Sequence, residues 1–137
     1  MRTIIVDTSA IYALVDADNL HHDEAVAFLN QEGEGLTLIV TDTTLLESIT
    51  LIKSRLGHSE AVRSSNAIHA SPRFRLISLS KEDWKETWRI FEKYDDKAWS
   101  PFDCACLAAA QARNIDEAFA FDEHFDQMAG LGMIRLP

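Results

Sequence analysis

Short apolar runs alternate along the chain with longer amphipathic stretches. Residues 3–6 form a β-branched apolar run that reads as a buried strand, as do residues 36–40, 74–79 and 118–121, with 133–136 as a last edge strand. Helical spacing between these runs predicts helices over 10–15, 23–31, 43–56, 59–69, 80–94 and 100–113, and a short one over 123–128. Stop and start signals agree with this. Thr8 or Ser9 caps the first helix, Gly57 stops the third, and Ser71-Pro72 breaks the fourth. Ser80-Lys81-Glu82-Asp83 reads as a capping box, and Pro101 suits a first helical position. In helix 80–94, Trp84, Trp88 and Phe91 are expected on the buried face, while Lys81, Lys85, Arg89 and Lys93 recur every four residues on a solvated one. Strands separated by helices imply right-handed crossovers. The pattern therefore predicts an α/β fold with a mostly parallel sheet of four to five strands, covered on both faces.

A length of 137 residues bounds this to a single domain, 1–137, large enough to fold without a disulfide or a metal. Cys104 and Cys106 point apart on a helix and are expected to pack as small apolar residues in a reduced, cytoplasmic protein. Asp7 interrupts the apolar N-terminus, so no secretory core forms, and no apolar run approaches the roughly 20 residues that span a bilayer. Against 13 basic residues stand 22 acidic ones, a net charge of −9, which argues against a broad basic surface for nucleic acid. It leaves room for a small site in which some of those acids do chemistry.

In parallel α/β sheets ligands bind beyond the C-terminal strand ends. Asp7 directly follows the first predicted strand and Asp122 the fourth. Glu47 lies one turn into the helix after the second strand, Asp103 in the first turn after Ser100-Pro101, and Asp126 four residues beyond Asp122. Each has an ordinary structural alternative: Asp7 and Asp122 as helix caps, Glu47 and Asp103 as members of capping boxes, Asp126 as a solvated surface acid. Together, carboxylates at one edge repel one another and call for a divalent cation. An all-oxygen donor set suits Mg²⁺ or Mn²⁺ better than zinc, and Thr8 and Ser9 add hydroxyls that can orient a carboxylate. Such a site serves phosphoryl transfer or phosphodiester hydrolysis.

The order of these motifs resembles the PIN-domain ribonucleases, and within them the toxins of VapBC-type toxin–antitoxin pairs. The motifs are Ile4-Ile5-Val6-Asp7-Thr8-Ser9-Ala10, Glu47 in the helix after the second strand, Asp103, then Phe121-Asp122-Glu123-His124-Phe125. The resemblance implies a Rossmann-like three-layer α/β/α sandwich. It implies that Asp7, Glu47, Asp103 and Asp122 are the catalytic, metal-binding acids for Mg²⁺ or Mn²⁺, with Asp126 as an extra ligand and Thr8 and Ser9 in support. It further implies endonucleolytic RNA cleavage by a metal-activated water, a homodimer, and a cognate antitoxin. One departure concerns the third acid, which sits in Ser100-Pro101-Phe102-Asp103-Cys104-Ala105, where the family pattern has a hydroxyl residue nearer the acid. A housekeeping RNase and a non-catalytic module on the same fold remain the alternatives. A haloacid-dehalogenase-type phosphatase wants an aspartate at position 9, where Ser9 stands, and a phospho-receiver domain wants an acidic pair near the first strand. His21-His22 reads as flanking the second helix, and no histidine, His124 included, is assigned a catalytic role.

Overall fold

The computed structural model describes residues 2–137; Met1, part of the N-terminal run considered above, lies outside the described residues. The chain runs β1 (Arg2–Val6), α1 (Thr8–Val15), α2 (His22–Glu32), β2 (Leu36–Thr41), α3 (Asp42–Leu56), α4 (His58–Ala70), β3 (Phe74–Ile77), α5 (Lys81–Lys93), α6 (Pro101–Ala112), β4 (Glu117–Phe119), a 3₁₀ segment (Glu123–Leu131) and β5 (Ile134–Leu136). All strand pairs are parallel and the order is β3-β2-β1-β4-β5. From the central β1 the chain first winds outward through β2 and β3, then returns to add β4 and β5 on the other side. The point of reversal lies between β1 and β4, where a crevice opens beyond the strand ends.

Strand alternation divides the core into two layers. Ile5 and Ile39 face α5 and α6, packing with Ile90, Leu107, Phe125 and Met128. Ile4, Val6, Leu38 and Val40 face α1 to α4, packing with Ile11, Phe28, Ile52 and Ile68. With the sheet between them these layers make the expected three-layer sandwich. Cys104 and Cys106 are free and buried within the α6 layer.

Three expectations need correction. Asp7, rather than Thr8 or Ser9, caps α1. β4 ends at Phe119, two residues short, because the Phe121 N–H turns away to the Ser9 hydroxyl. Asp122 therefore follows the strand at a distance of three residues rather than directly. The buried face of α5 is Asp83, Thr87 and Ile90, whereas Trp84, Trp88 and Phe91 are 41%, 51% and 43% exposed. Asp83 can turn inward because Arg113 meets it with both terminal nitrogens, at 3.2 and 2.9 Å, and because it closes the capping box with Ser80. That places the two tryptophans and Phe91 on the outside.

Gly57 joins α3 to α4 at φ +96°, a backbone conformation that residues with a side chain rarely adopt, and its N–H closes α3 on the Lys53 carbonyl at 3.1 Å.

Candidate active site

Beyond the ends of β1 and β4 lies a cleft of about 490 Å³, with Asp7, Glu47, Asp103 and Asp122 among its lining residues. Each of these acids is positioned by a different element, and each uses one carboxylate oxygen to hold that position.

Asp7 is the N-cap of α1. Its Oδ2 accepts the Ser9 N–H at 3.0 Å and the Ser9 hydroxyl at 2.6 Å. The same hydroxyl oxygen accepts the Phe121 N–H at 2.9 Å, which ties the segment before Asp122 to the start of α1. Glu47 sits in the second turn of α3. It is not part of a capping box, since the cap is Thr41, which accepts the Thr44 N–H. Its Oε1 instead accepts the Thr8 hydroxyl at 2.5 Å, and Ser48 Oγ lies 3.0 Å from that hydroxyl. Asp103 closes a capping box at the start of α6: its N–H reaches Ser100 Oγ at 3.2 Å, and its Oδ2 accepts the Ser100 N–H at 2.9 Å. The same Oδ2 lies 2.9 Å from His124 Nδ1. Asp122 caps the 3₁₀ segment, its Oδ1 accepting the His124 N–H at 2.9 Å, with His124 Nδ1 at 3.4 Å.

The second oxygen of each carboxylate, Asp7 Oδ1, Glu47 Oε2, Asp103 Oδ1 and Asp122 Oδ2, has no hydrogen-bond partner among the described residues. Capping and ligation therefore do not compete here: one oxygen caps and the other is left over. Asp126 stands apart. The segment is 3₁₀, in which positions three apart eclipse, so a residue four beyond Asp122 is turned off its face. Asp126 lies outside the cleft lining and binds Arg135 Nε at 2.8 Å.

The electrostatics mark a shared site. Burial pushes the Asp7 carboxyl up from 3.8 to about 6, the Ser9 hydrogen bonds work against this, and the charges of Asp103 and Asp122 add to it. Burial also raises Glu47, opposed by Thr8 and assisted by repulsion from Asp7, Asp103 and Asp122. Burial disfavours a charged His124, but the Asp103 hydrogen bond and the charges of Asp122 and Asp103 outweigh it and raise its pKa. Ligand atoms of Asp103, Asp122 and His124 all lie within 4.8 Å of one another. Among the described residues Asp7 and Glu47 are not in that group, but they line the same cleft and are raised by the charges of the other acids, and carboxylate donors gathered under such repulsion fit a hard divalent cation such as Mg²⁺ or Mn²⁺.

Several cleft residues were not assigned to the site from the sequence. His124 steadies Asp103 and Asp122 across a 21-residue gap. Ser100 starts α6 and also lines the cleft, and Tyr12, Asn19, His21, Leu51, Arg55 and Phe121 complete the wall. The signal for His124 was its place two residues after Asp122; for Arg55, two turns beyond Glu47 on α3, it was the helical period.

Comparison with known proteins identifies the fold and the family. Over 132 residues the chain is 28% identical to proteins of two Mycobacterium tuberculosis strains named 23S rRNA-specific endonuclease VapC20, covering 96% of this chain and 98% of theirs. The crystal structure of Mycobacterium tuberculosis VapC20, described as a sarcin–ricin loop cleaving toxin, superimposes with a TM-score of 0.84 at 25% identity, over 96% of both chains. The structure of VapBC2 from Rickettsia felis bound to a DNA fragment from its promoter shares the fold, with a TM-score of 0.74 at 13% identity over 98% of this chain and 97% of that one. The family described as PIN domain matches residues 4–131, nearly the whole of the fold traced above, and the chain belongs to it.

Proposed function

We propose that the protein is a Mg²⁺- or Mn²⁺-dependent endoribonuclease, the toxin of a type II toxin–antitoxin pair, with ribosomal RNA as its substrate class. The observation that carries this reading is the convergence of Asp7, Glu47, Asp103 and Asp122 on one cleft, each with one oxygen held and one free. The likeness to VapC20 over nearly the whole chain supports the ribosomal substrate.

In the proposed mechanism the four acids are the ligands. When bound, the cation supplies positive charge for the phosphodiester oxygens and for the attacking water. Ser9, Thr8, Ser100 and His124 hold the acids in place from behind, so that little reorganisation is needed when the phosphate arrives. Arg55 is the one lysine or arginine lining the cleft among the described residues, and it draws a neighbouring backbone phosphate. No side chain of the site serves as a covalent nucleophile. Burial pushes the Cys104 thiol up to about 11, and the hydroxyls of Thr8 and Ser9 are spent on carboxylates. Cleavage leaves a 5′-phosphate and a 3′-hydroxyl.

Two surfaces support the partners. Leu46, 69% exposed, and Phe102, 40% exposed, line a second, more apolar cleft of about 500 Å³ that shares Thr8, Glu47 and Leu51 with the first. An antitoxin segment seated there blocks the acids. The exposed Trp84, Trp88 and Phe91 stripe on α5 supports a homodimer. No helix among the described residues is long and apolar enough to cross a membrane, and the free, buried cysteines suit a reduced cytoplasm.

The test is incubation of the protein with ribosomes in Mg²⁺ and in excess chelator, followed by mapping of the 23S rRNA ends. The reading predicts discrete cuts with 5′-phosphate ends in Mg²⁺ only, and none by the Asp103→Asn protein. Cutting that survives chelator or the substitution refutes it.

A further inference from the structure

The acidic cleft continues past the carboxylates into an aromatic wall. Phe119 is fully buried and packs on Phe28, with ring centroids 4.8 Å apart. Phe121 meets Phe119 edge-on at 6.0 Å, and His21 lies flat on Phe121 at 4.5 Å with 9° between the planes. The three rings make a ladder from the core to the cleft lining, and its last rung is a partly buried imidazole. Phe121 adjoins Asp122 in the chain, so the ladder stands directly beside the acids.

The adjacent histidines play different parts. The His22 ring is spent on the Ala13 carbonyl at 2.7 Å. The His21 ring makes no hydrogen bond among the described residues; only its backbone N–H is taken, by Asn19 Oδ1 at 2.9 Å. That bond ties the loop together, and Asn19, whose amide N–H donors have no partner among the described residues, lines the same cleft. Arg55, with its guanidinium 5.0 Å from the Tyr12 ring centroid, adds a positive charge to the wall.

A flat ring platform backed by the core, an amide with free donors and a guanidinium beside a cation site together match the parts of a nucleotide: base, base edge and phosphate. We infer that the cleft contains a nucleobase subsite, in which a base of the RNA stacks on His21, its edge is read by the Asn19 amide, and a neighbouring phosphate is taken by Arg55. The inference rests on the endoribonuclease reading and assigns that site its grip on an unpaired nucleotide. Stacking on one aromatic platform is worth roughly tenfold or more in affinity.

Adenosine 5′-monophosphate and ribose 5-phosphate differ by the base alone. Their dissociation constants are measured with the whole protein in Mg²⁺ by NMR titration. The subsite predicts roughly tenfold tighter binding of the nucleotide, with upfield shifts of the His21 ring protons. It predicts loss of that preference in His21→Ala and its recovery in His21→Phe. Equal affinities for the two probes in the unaltered protein overturn the subsite, as does a preference that survives His21→Ala. Cleavage of ribosomal RNA is followed in parallel. Cleavage without a base preference sinks the subsite and leaves the endoribonuclease standing. A base preference without cleavage keeps the subsite and sinks the endoribonuclease.

Discussion

Asp103 Oδ2 lies 2.9 Å from His124 Nδ1 and accepts the Ser100 N–H at the same distance, so both neighbours hold one oxygen and leave Oδ1 without a partner. The same division recurs at Asp7 with Ser9, at Glu47 with Thr8 and at Asp122 with the His124 N–H. Each acid is built into the fold by half of its carboxylate. The site thus takes its precision from helix caps, which the fold needs anyway.

His124 acts through Asp103, so its contribution depends on the position of a donor rather than on a ring. Asparagine places an N–H close to where Nδ1 stands; glutamine places it nearer Nε2. His124→Asn is expected to keep Mn²⁺ affinity within a fewfold, while His124→Ala and His124→Gln lose roughly tenfold or more. Isothermal titration with Mn²⁺ reads this directly, and circular dichroism checks that all three variants fold.

Ser9 serves two segments with one hydroxyl: it donates to Asp7 and accepts from Phe121 N–H. Ser9→Ala leaves that N–H without its partner and lets the Asp7 side chain turn. The expected cost is about 1–3 kcal/mol of stability in urea unfolding, with a loss of Mn²⁺ affinity of roughly 10-fold or more.

The pH dependence of the metal-free chain follows from Asp7, whose folded pKa of about 6 lies above its ordinary 3.8. A raised carboxyl binds its proton more tightly in the folded state. Its favourable contribution is complete below pH 3.8 and is lost as pH rises through 6, a swing of about 3 kcal/mol. The upward shift of Glu47 acts in the same direction. In chelator, melting temperature is expected to fall from pH 4.5 to 7.5, and Asp7→Asn, which keeps the cap, is expected to flatten that fall. Mg²⁺ restores stability at pH 7.5 and does little at 4.5, because ligation requires ionised carboxylates.

The exposed stripe on α5 is absent from the cleft lining. Trp88→Glu is expected to convert a dimer to a monomer in light scattering while Mn²⁺ affinity stays within a fewfold. A monomeric unaltered protein removes the homodimer from the proposed function.

The acids at β1, α3 and α6 were legible because a parallel sheet gathers strand ends and helix starts at one edge, and their order along the chain follows from that topology. The alternating pattern likewise marked every strand of the sheet. What periodicity could not supply were partners distant in sequence. Arg113, 30 residues from Asp83, draws a charged side chain into the core and turns Trp84 and Trp88 outward. Ser9, 112 residues from Phe121, ends β4 early. Asp126 fell outside the site because its segment winds as a 3₁₀ helix rather than an α-helix. His21 reaches the cleft only through the tertiary fold, with no local pattern to announce it.

In the proposed site the free oxygens of Asp7, Glu47, Asp103 and Asp122 together hold a divalent cation. Calorimetric titration of Mn²⁺ into the unaltered, Asp7→Asn and Asp103→Asn proteins at pH 7.5 tests it most directly. The predicted result is saturable binding by the unaltered protein and loss of it in both variants, each of which still melts cooperatively. Equal Mn²⁺ affinity in all three proteins would contradict the claim.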